Sequence, residues 1–495
     1  MTEVPSAGRN FVGRAVSGGA WITVGMVTMQ VISLAVFVTV AHFLSPADFG
    51  LISVCFVVLQ TSKSLLIDNF ANAVTRKSTT TPLEYSTAFW LTVGVSCLSF
   101  ITIEASAGLL QRLFDIAGLA HIMQEMGAIM LVMGLGHTHE CWMIRNFHFR
   151  ALTIRGIVGA AVGGAAGAAL AVFGYGVMAL VVQQVLTFTV ALALLWVSCP
   201  WRPELAFSRR AAAEILHFML QTMPGSIVGI LNQNCDIILV AYFFGSSSTG
   251  IYSAGKRLRL ALQLAVATPV TGIAMPILAD IQADPERLRR ALLSAILLIC
   301  AVCAPLFLGT SAVAEDVVHL MFGARWEAAA PVLAWLAAGG FVSVLIGCND
   351  TVFIVRGRPL CSFYVSIIYT GLAVVGFAVC APFGSAYLAL PFVAPFILTL
   401  PISAWMVTLV TRVTLGDWLR ATAPAVGAAF FMFVSVRLLG SQLDAIGTTV
   451  RLVVLCPAGA LIYVSTLMMF GRGTTRTLLE LLRKSTRYGH PGVTK

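Results

Sequence analysis

The sequence predicts an all-α integral membrane protein with 14 transmembrane helices, in which two six-helix lobes are parallel repeats and two further helices follow at the C-terminus. Composition, the number of long apolar runs and an internal repeat support this prediction. Of the 495 residues, 58% are hydrophobic and only 11% are charged, and the mean hydropathy is +0.91. Soluble domains carry about 25% charged residues, so the composition excludes an ordinary soluble protein.

Long apolar runs set the number of predicted spans, because a spanning helix needs about 20 mostly apolar residues. An outer-membrane barrel is excluded, since its strands would alternate apolar and polar residues in short segments. The Gly-rich run 156–170 suits close helix packing in lipid. The predicted spans are 18–41, 50–70, 86–110, 119–141, 152–173, 176–198, 215–243, 250–276, 290–312, 329–355, 360–382, 386–410, 418–439 and 447–470.

The basic residues predict the orientation. With the N-terminus in the cytoplasm, 23 of the 31 Lys and Arg residues fall in predicted cytoplasmic segments. The opposite side holds Arg112, Arg325, Arg437 and Arg451. The positive-inside rule therefore places both termini in the cytoplasm. The basic tail, 471–495, is typical of a topology anchor on anionic lipid, with binding of a partner enzyme as the alternative.

The chain lacks recognisable catalytic motifs. It has no G-x-x-x-x-G-K-[ST] phosphate loop and no H-E-x-x-H spacing, and its predicted external loops are short. The C-x-x-C formed by Cys300 and Cys303 lies in mid-span, where buried cysteines pack as small hydrophobes. The net charge of +10 reflects orientation in the membrane, so it does not indicate a nucleic-acid partner. We expect no catalytic residue and no cofactor.

The stretch GHTHECW (136–142) contains His137, His139 and Glu140. Residues two apart on a helix point to different faces, and the stretch lies at a predicted cytoplasmic span end. The pattern therefore favours polar residues at the membrane interface over a metal site.

Basic residues inside the predicted spans are the strongest functional signal. A charge at mid-bilayer costs about 2.5–3.5 kcal/mol, so it should face a partner or a wet cavity. A helical rise of about 1.5 Å per residue places Asp236 and the basic group at 256–259 at similar depths, on consecutive helices. One carboxylate cannot neutralise three cations, so a structural salt bridge and a site for an anion such as a pyrophosphate both remain open. The predicted substrate-binding cations are Lys63, Lys256, Arg257 and Arg259.

Other polar residues in the spans have two interpretations each. Lys63 could bind a ligand or pair with Asp68. Asp236, Asp68 and Glu104 are candidates for ion coupling or for charge pairs. Asn232 and Asn234 suit sugar hydroxyls, but amides also form hydrogen bonds between helices in lipid.

Two stretches 200 positions apart resemble each other, AHFLSPADFGLIS (41–53) and AYFFGSSSTGIYS (241–253). Each ends an apolar run, crosses a short turn and opens another run, and both pairs of runs go from inside to outside and back. This predicts parallel repeats that alternate access. The first copy continues as ISVCFVVLQ and the second as YSAGKRLRL, so the second half should carry the outer cationic site. The predicted domains are 1–205 (N-lobe, spans 1–6), 206–412 (C-lobe, spans 7–12), 413–470 (spans 13 and 14) and 471–495 (basic cytoplasmic tail).

Several motifs resemble one transporter family. They are HFLSPADFGLIS after span 1, YSTAFWLTV (85–93), CDIILVAYFFGSSSTGIYSAGKRL across spans 7 and 8, TPVTGIAMPILADIQADPERLRRAL (268–292), FGARWEAAAPVLAWLA (322–337) and R-G-R-P after span 10. From about residue 10 to 410 the chain resembles the Wzx-type polysaccharide transporters, in the colanic-acid and exopolysaccharide branch of the multidrug/oligosaccharidyl-lipid/polysaccharide exporter (MOP) superfamily. In DNFANAVTRK (68–77), Phe70 stands where relatives have a glycine.

The resemblance implies a bacterial inner-membrane flippase for an undecaprenyl-diphosphate-linked oligosaccharide, which works beside a polysaccharide polymerase and a chain-length regulator. It also implies fourteen helices around a cation-lined cavity, with no catalytic step. Two alternatives come from the same superfamily, a cation-coupled multidrug antiporter and a lipid II flippase. A third, from another class, is a non-transporting scaffold for polysaccharide assembly.

Overall fold

The computed structural model describes residues 7–70, 73, 80–267, 280–281, 284–384, 387–443 and 447–470. Within these residues the chain is helical and contains no strand. It divides into two compact units, Met1–Ser253 and Ala254–Lys495, and we describe each by itself. The basic tail and most of the motif at 268–292 lie outside the described residues.

The first unit is built from α1 to α7 and most of α8. Helix α8 is long and continues across the unit boundary. The bounds are α1 Ala7–Ala41, α2 Pro46–Ser62, α3 Pro82–Phe114, α4 Leu119–Gly127, α5 Ile129–Arg145, α6 Phe149–Val172, α7 Val177–Ser198 and α8 Arg209–Leu262.

The second unit continues from α8, and its described residues contain seven more α-helices. They are α9 Pro285–Ala312, α10 Ala314–Phe322, α11 Ala329–Val355, α12 Pro359–Cys380, α13 Leu390–Val410, α14 Leu415–Gln442 and α15 Thr448–Phe470. Its apolar core includes Ile299, Phe307, Phe353 and Val407, all with essentially no exposed area.

The predicted fold class is confirmed. Thirteen helical stretches among the described residues are long and apolar enough to cross a membrane. One of them, Arg209–Ala267, is 59 residues long and is interrupted at Gly245, where φ is 76° and ψ is −175°. The positive φ is accessible to glycine at little cost. The stretch therefore holds the seventh predicted span and the eighth up to residue 267, which makes fourteen among the described residues.

Local sequence explains where several helices begin. Ser45 caps α2: its hydroxyl accepts a hydrogen bond from the Asp48 backbone N–H, and the Asp48 carboxylate accepts one from the Ser45 backbone N–H. Thr81 and Glu84 form the same capping box at α3. Asp284 caps α9, and hydrogen bonds from the backbone N–H groups of Arg287 and Glu286 lower the pKa of its carboxyl.

The two copies of the repeat touch each other within the first unit. A Cβ added to Gly50 would overlap the carbonyl oxygen of Ser246, and a Cβ added to Gly250 would overlap the carbonyl oxygen of Pro46. Pro46 and Ser246 are also equivalent positions of the repeat, so the contact is reciprocal. Such self-complementary pairing is the geometry of a two-fold axis, and here it requires two glycines.

Helices α2 and α8 also end in the same way. A single π turn, Lys63–Ile67, follows α2, and another, Gln263–Ala267, follows α8. Lys63 and Gln263 are 200 positions apart, as are Gly50 and Gly250. The structural repeat therefore extends well beyond the residues that match in sequence. π turns are rare and often lie at functional sites.

The packing around Phe70 explains why an aromatic side chain stands where relatives have a glycine. The Phe70 side chain is 1% exposed and packs with Tyr85, Ala88, Ile215 and Met219 in a small apolar cluster. The aromatic ring fills space between the segment after α2, α3 and the start of α8, so this span end is closely packed.

Helix α10 is tied to the last two helices of the second unit by two ion pairs. Arg451 Nε on α15 lies 2.7 Å from Asp316 Oδ1, whose side chain is 5% exposed. Arg437 Nη1 on α14 lies 2.9 Å from Glu315 Oε1 in a pair that is largely exposed. The pair formed by Asp316 is buried, whereas the pair formed by the adjacent residue Glu315 is exposed.

We predict that Gly50→Ala or Gly250→Ala destabilises the protein by about 1–3 kcal/mol, because the added methyl overlaps backbone that cannot rotate away. The midpoint of thermal unfolding of the purified protein measures this. Gly94→Ala is the matched control, since Gly94 lies in α3 with nothing within 4 Å of its would-be Cβ. Equal midpoints for Gly50→Ala and Gly94→Ala would contradict the close contact.

We also predict that Asp316→Asn lowers the free energy of unfolding by about 3 kcal/mol, since it removes a buried carboxylate from its ion pair with Arg451. Glu315→Gln, one residue away, should cost at most about 1 kcal/mol, because an exposed pair contributes little. Denaturation of the two variants in the same detergent compares them. A larger loss for Glu315→Gln would mean that burial does not control these pairs.

Candidate charge-pair and anion site

The first unit gathers charged side chains from three segments of the chain. Lys63 Nζ lies 2.6 Å from Asp68 Oδ1, and both side chains are about one-third exposed. His137 Nδ1, on α5, lies 4.0 Å from the same Asp68 oxygen. Arg155 on α6 pairs with Glu140 on α5 through an Nη2–Oε1 distance of 2.9 Å. We call these five residues the Lys63 cluster.

The Lys63–Asp68 pair depends on the π turn. In an α-helix of 3.6 residues per turn, side chains five positions apart point about 140° away from each other. Here the backbone N–H of Asp68 donates to the carbonyl of Lys63, the i→i+5 bond of a π turn. This extra residue brings the ammonium and the carboxylate to the same side of the helix.

His137 and His139 point to different faces of α5, as predicted, and both are buried inside the protein. His139 is enclosed by aromatic rings, 4.5 Å from Trp196, 5.0 Å from Trp201 and 5.8 Å from Phe89 between ring centroids. His137 faces Asp68 instead, so one histidine packs and the other belongs to the charged cluster. Within the described residues, no group of three or more His, Cys, Asp and Glu side chains is arranged to hold a metal ion.

Asn69, which the sequence did not single out, links the end of the first π turn to α8. Its Oδ1 accepts hydrogen bonds from the hydroxyls of Thr222, at 3.2 Å, and Ser226, at 3.0 Å. Its Nδ2 donates to the carbonyl of Leu65 within the turn, at 2.9 Å. The side chain is 1% exposed, so this amide holds the charged end of span 2 against α8.

Asp236 is buried and hydrogen-bonded. Its Oδ2 accepts a 2.8 Å hydrogen bond from the hydroxyl of Tyr252, and its exposed fraction is 4%. Asp236 precedes the Gly245 interruption and Tyr252 follows it, so the bond joins the two arms of α8. The pairing of Asp236 with a cation of the 256–259 group stays a prediction.

The three cations of the second unit have different environments. Lys256 and Arg257 are half-buried, whereas Arg259 is 6% exposed. Arg259 Nη1 lies 3.2 Å from Gln263 Oε1, and its guanidinium carbon lies 5.2 Å from the centre of the Phe392 ring. Its Nε is buried and has no hydrogen-bond partner among the described residues.

The remaining predicted residues lie apart from the Lys63 cluster in the described contacts. Glu104, on α3, lies against Gly127 of α4. Asn232 is exposed and Asn234 is half-buried on α8. Cys300 and Cys303 are buried in the core of the second unit, where burial suits their predicted packing role.

Comparison with known proteins gives the family. A family model described as "Polysaccharide biosynthesis protein" matches residues 39–331, more than half of the chain. The chain is 24% identical over 482 residues to the teichuronic acid biosynthesis protein TuaB of Bacillus subtilis, covering 94% of this chain and 97% of that protein. It is 23% identical over 324 residues to the succinoglycan biosynthesis transport protein ExoT of Rhizobium meliloti, covering 65% of each.

Among solved structures, the fold matches the lipid II flippase MurJ in an inward closed conformation. The TM-score is 0.73 at 12% sequence identity, over 91% of this chain and 98% of MurJ. At this identity the match shows the fold alone, and the fold is the one expected from the motifs. The chain therefore belongs to the polysaccharide biosynthesis protein family, and it has the fold of the MOP-superfamily transporters.

Proposed function

We propose that this protein flips an undecaprenyl-diphosphate-linked oligosaccharide from the cytoplasmic to the periplasmic leaflet of the bacterial inner membrane, by alternating access and without covalent chemistry. The relatives support the substrate class, since TuaB and ExoT are named for the biosynthesis or transport of bacterial polysaccharides. The distribution of basic residues supports an orientation with both termini in the cytoplasm. The two copies of the repeat contact each other at Gly50 and Gly250, and in this proposal the contact opens during the transport cycle.

The observation that carries the proposal is the environment of Arg259. A guanidinium keeps its charge in proteins and has five donors, but the described contacts of Arg259 are an amide and an aromatic ring, with no carboxylate. Burying such a charge is costly unless an anion compensates it. A diphosphate is an anion with acceptor oxygens that match the guanidinium fork. Arg259 is therefore suited to bind a phosphate group.

The residues packed around Arg259 determine the position of its side chain. A Cβ added at Gly340, on α11, would lie 3.0 Å from Arg259 Cγ and 2.7 Å from Phe307 Cε1. The absence of a side chain at Gly340 leaves room for the Arg259 stem between α8 and α11. The guanidinium carbon then lies over the Phe392 ring on α13, a typical cation–π arrangement.

We predict that charge-neutralising changes at all four cations, Lys63→Gln, Lys256→Gln, Arg257→Gln and Arg259→Gln, abolish polysaccharide export. A charged hydrogen bond contributes roughly 1.5–3 kcal/mol, so each lost cation should weaken binding of a diphosphate by about tenfold or more. The assay is surface polysaccharide in a strain that depends on this gene, with the amount of membrane-inserted protein measured by immunoblot. Arg210→Gln and Arg325→Gln, at exposed sites, are the controls and should export normally. Normal export by the fourfold variant would contradict the anion site and would favour a scaffold, which tolerates such changes.

We further predict that Gly340→Ala reduces export without changing any charge, because the methyl displaces Arg259 from its place on Phe392. Gly347→Ala is the matched control on the same helix, with nothing within 4 Å of its would-be Cβ. Export at equal protein level, measured at several expression levels, separates a weakened transporter from a scarce one. Equal export by both variants would mean that the position of Arg259 is unimportant.

The rival transport functions predict different substrates. A lipid II flippase should restore growth when the resident lipid II flippase is depleted, and a multidrug antiporter should expel cationic dyes. We expect neither activity, because the described basic residues favour an anionic substrate and disfavour a cationic one. Restored growth would indicate lipid II as the substrate. Dye efflux that is lost in the Arg259→Gln variant would indicate a cationic substrate. Either result would contradict the proposed substrate.

A further inference from the structure

We propose that Asp68 and His137 form a proton-binding site that controls whether Lys63 is available to an anionic ligand. The inference rests on the proposed function, because it assigns the role of Lys63 in binding a diphosphate. Its basis is geometric: one carboxylate oxygen of Asp68 faces two nitrogens, Lys63 Nζ at 2.6 Å and His137 Nδ1 at 4.0 Å. Of the two, Lys63 Nζ is the one within hydrogen-bonding distance.

The charges of the Lys63 cluster balance when His137 is neutral. Lys63 and Arg155 are cationic, and Asp68 and Glu140 are anionic, so the four charges cancel. All four interact electrostatically with the His137 ring. Glu140 is engaged by Arg155 at 2.9 Å, so Asp68 is the carboxylate whose partner can change.

The surroundings of His137 offer no other charge for this role among the described residues. Helix α3 faces α5 near Gly134 with the hydroxyl residues Thr92 and Ser96, which donate to their own helix. Helix α7 carries no charged residue. His137 is 8% exposed, and its buried Nε2 has no hydrogen-bond partner in the described part of the chain. A proton gained by the ring is therefore stabilised by Glu140 and Asp68, and of these two carboxylates Asp68 is the one that is paired with Lys63.

The π turn makes the exchange of partners possible. The Lys63–Asp68 pair exists only while the two side chains lie on one side of the helix, which the i→i+5 bond provides. When a proton binds to His137, the charged ring competes with Lys63 for the Asp68 carboxylate, and Lys63 can turn to a phosphate. In the reverse direction, a phosphate that binds Lys63 leaves Asp68 without its cation. His137 then takes up a proton from the solvent and replaces Lys63 beside the carboxylate.

This exchange predicts that binding of a diphosphate takes up about one proton. By linkage, the affinity then rises as the pH falls, by up to about tenfold per pH unit. The sign follows from the charges: the proton and the anion favour each other, because the proton removes the competitor of the anion for Lys63.

The test uses the full-length protein in lipid nanodiscs and farnesyl diphosphate as the probe. Titration calorimetry at pH 7, in two buffers with different ionisation enthalpies, counts the protons taken up per probe bound. We expect the wild type to take up about one proton more than Asp68→Asn or His137→Gln, since any proton change of the probe itself is common to all. Glu125→Gln, at an exposed carboxylate on α4, should match the wild type.

The affinities give a second, independent measure. Asp68→Asn should bind the probe about two- to fivefold more tightly than the wild type at pH 7, because Lys63 is permanently released from a partly exposed ion pair. Its affinity should also be nearly independent of pH. His137→Gln keeps the Lys63–Asp68 pair, so it tests the proton without removing the carboxylate.

The outcomes separate this inference from the proposed function. Equal proton uptake by the wild type, Asp68→Asn and His137→Gln, with normal affinity, would overturn the proton site and leave the flippase proposal intact. No binding of the probe to the wild type, or unchanged affinity in Lys63→Met, would contradict diphosphate recognition by Lys63. The coupling would then be overturned with it.

Discussion

Hydrocarbon cannot solvate an ion, and this constraint governs how the charged residues of this protein are arranged. A charge in a span needs a partner, and the partner must come from a neighbouring helix or from the same helix at a suitable register. In the first unit, the pair between α5 and α6 and the pair within the turn after α2 satisfy this need. These contacts also fix which segments are neighbours, so the electrostatics and the packing of the helices depend on each other.

The internal repeat is present in the structure as well as in the sequence. Its two copies meet at Gly50 and Gly250, where each helix start lies against the backbone of the other. Side chains would keep these segments apart, so the repeat retains glycine at the contact while neighbouring positions differ. The same spacing separates the two π turns, so the two copies correspond at the glycine contact and again at the π turns.

The sequence was sufficient for the spans, because crossing a membrane requires only length and apolar composition. It also predicted the repeat turn and the buried, packed cysteines. It could not predict the π turns, since an extra residue in one hydrogen-bonded turn leaves hydropathy unchanged. The pairing of Arg155 with Glu140 was not predicted, because the two residues lie on different helices and no local pattern links them. The burial of His137 and His139 depends on which helices surround α5, and no local pattern reports that.

Positions 63 and 263 show how one backbone feature can serve two chemical purposes. In both copies a cation is held beside the π turn, but in the first copy it is Lys63 itself, and its partner is a carboxylate. In the second copy Gln263 occupies the equivalent position and accepts from Arg259, one helical turn earlier. In the first copy a histidine, the side chain that ordinarily gains a proton near neutral pH, lies beside the carboxylate, whereas the amide of the second copy does not titrate. The first copy is therefore suited to respond to protons, and the second is suited to keep its positive charge under all conditions.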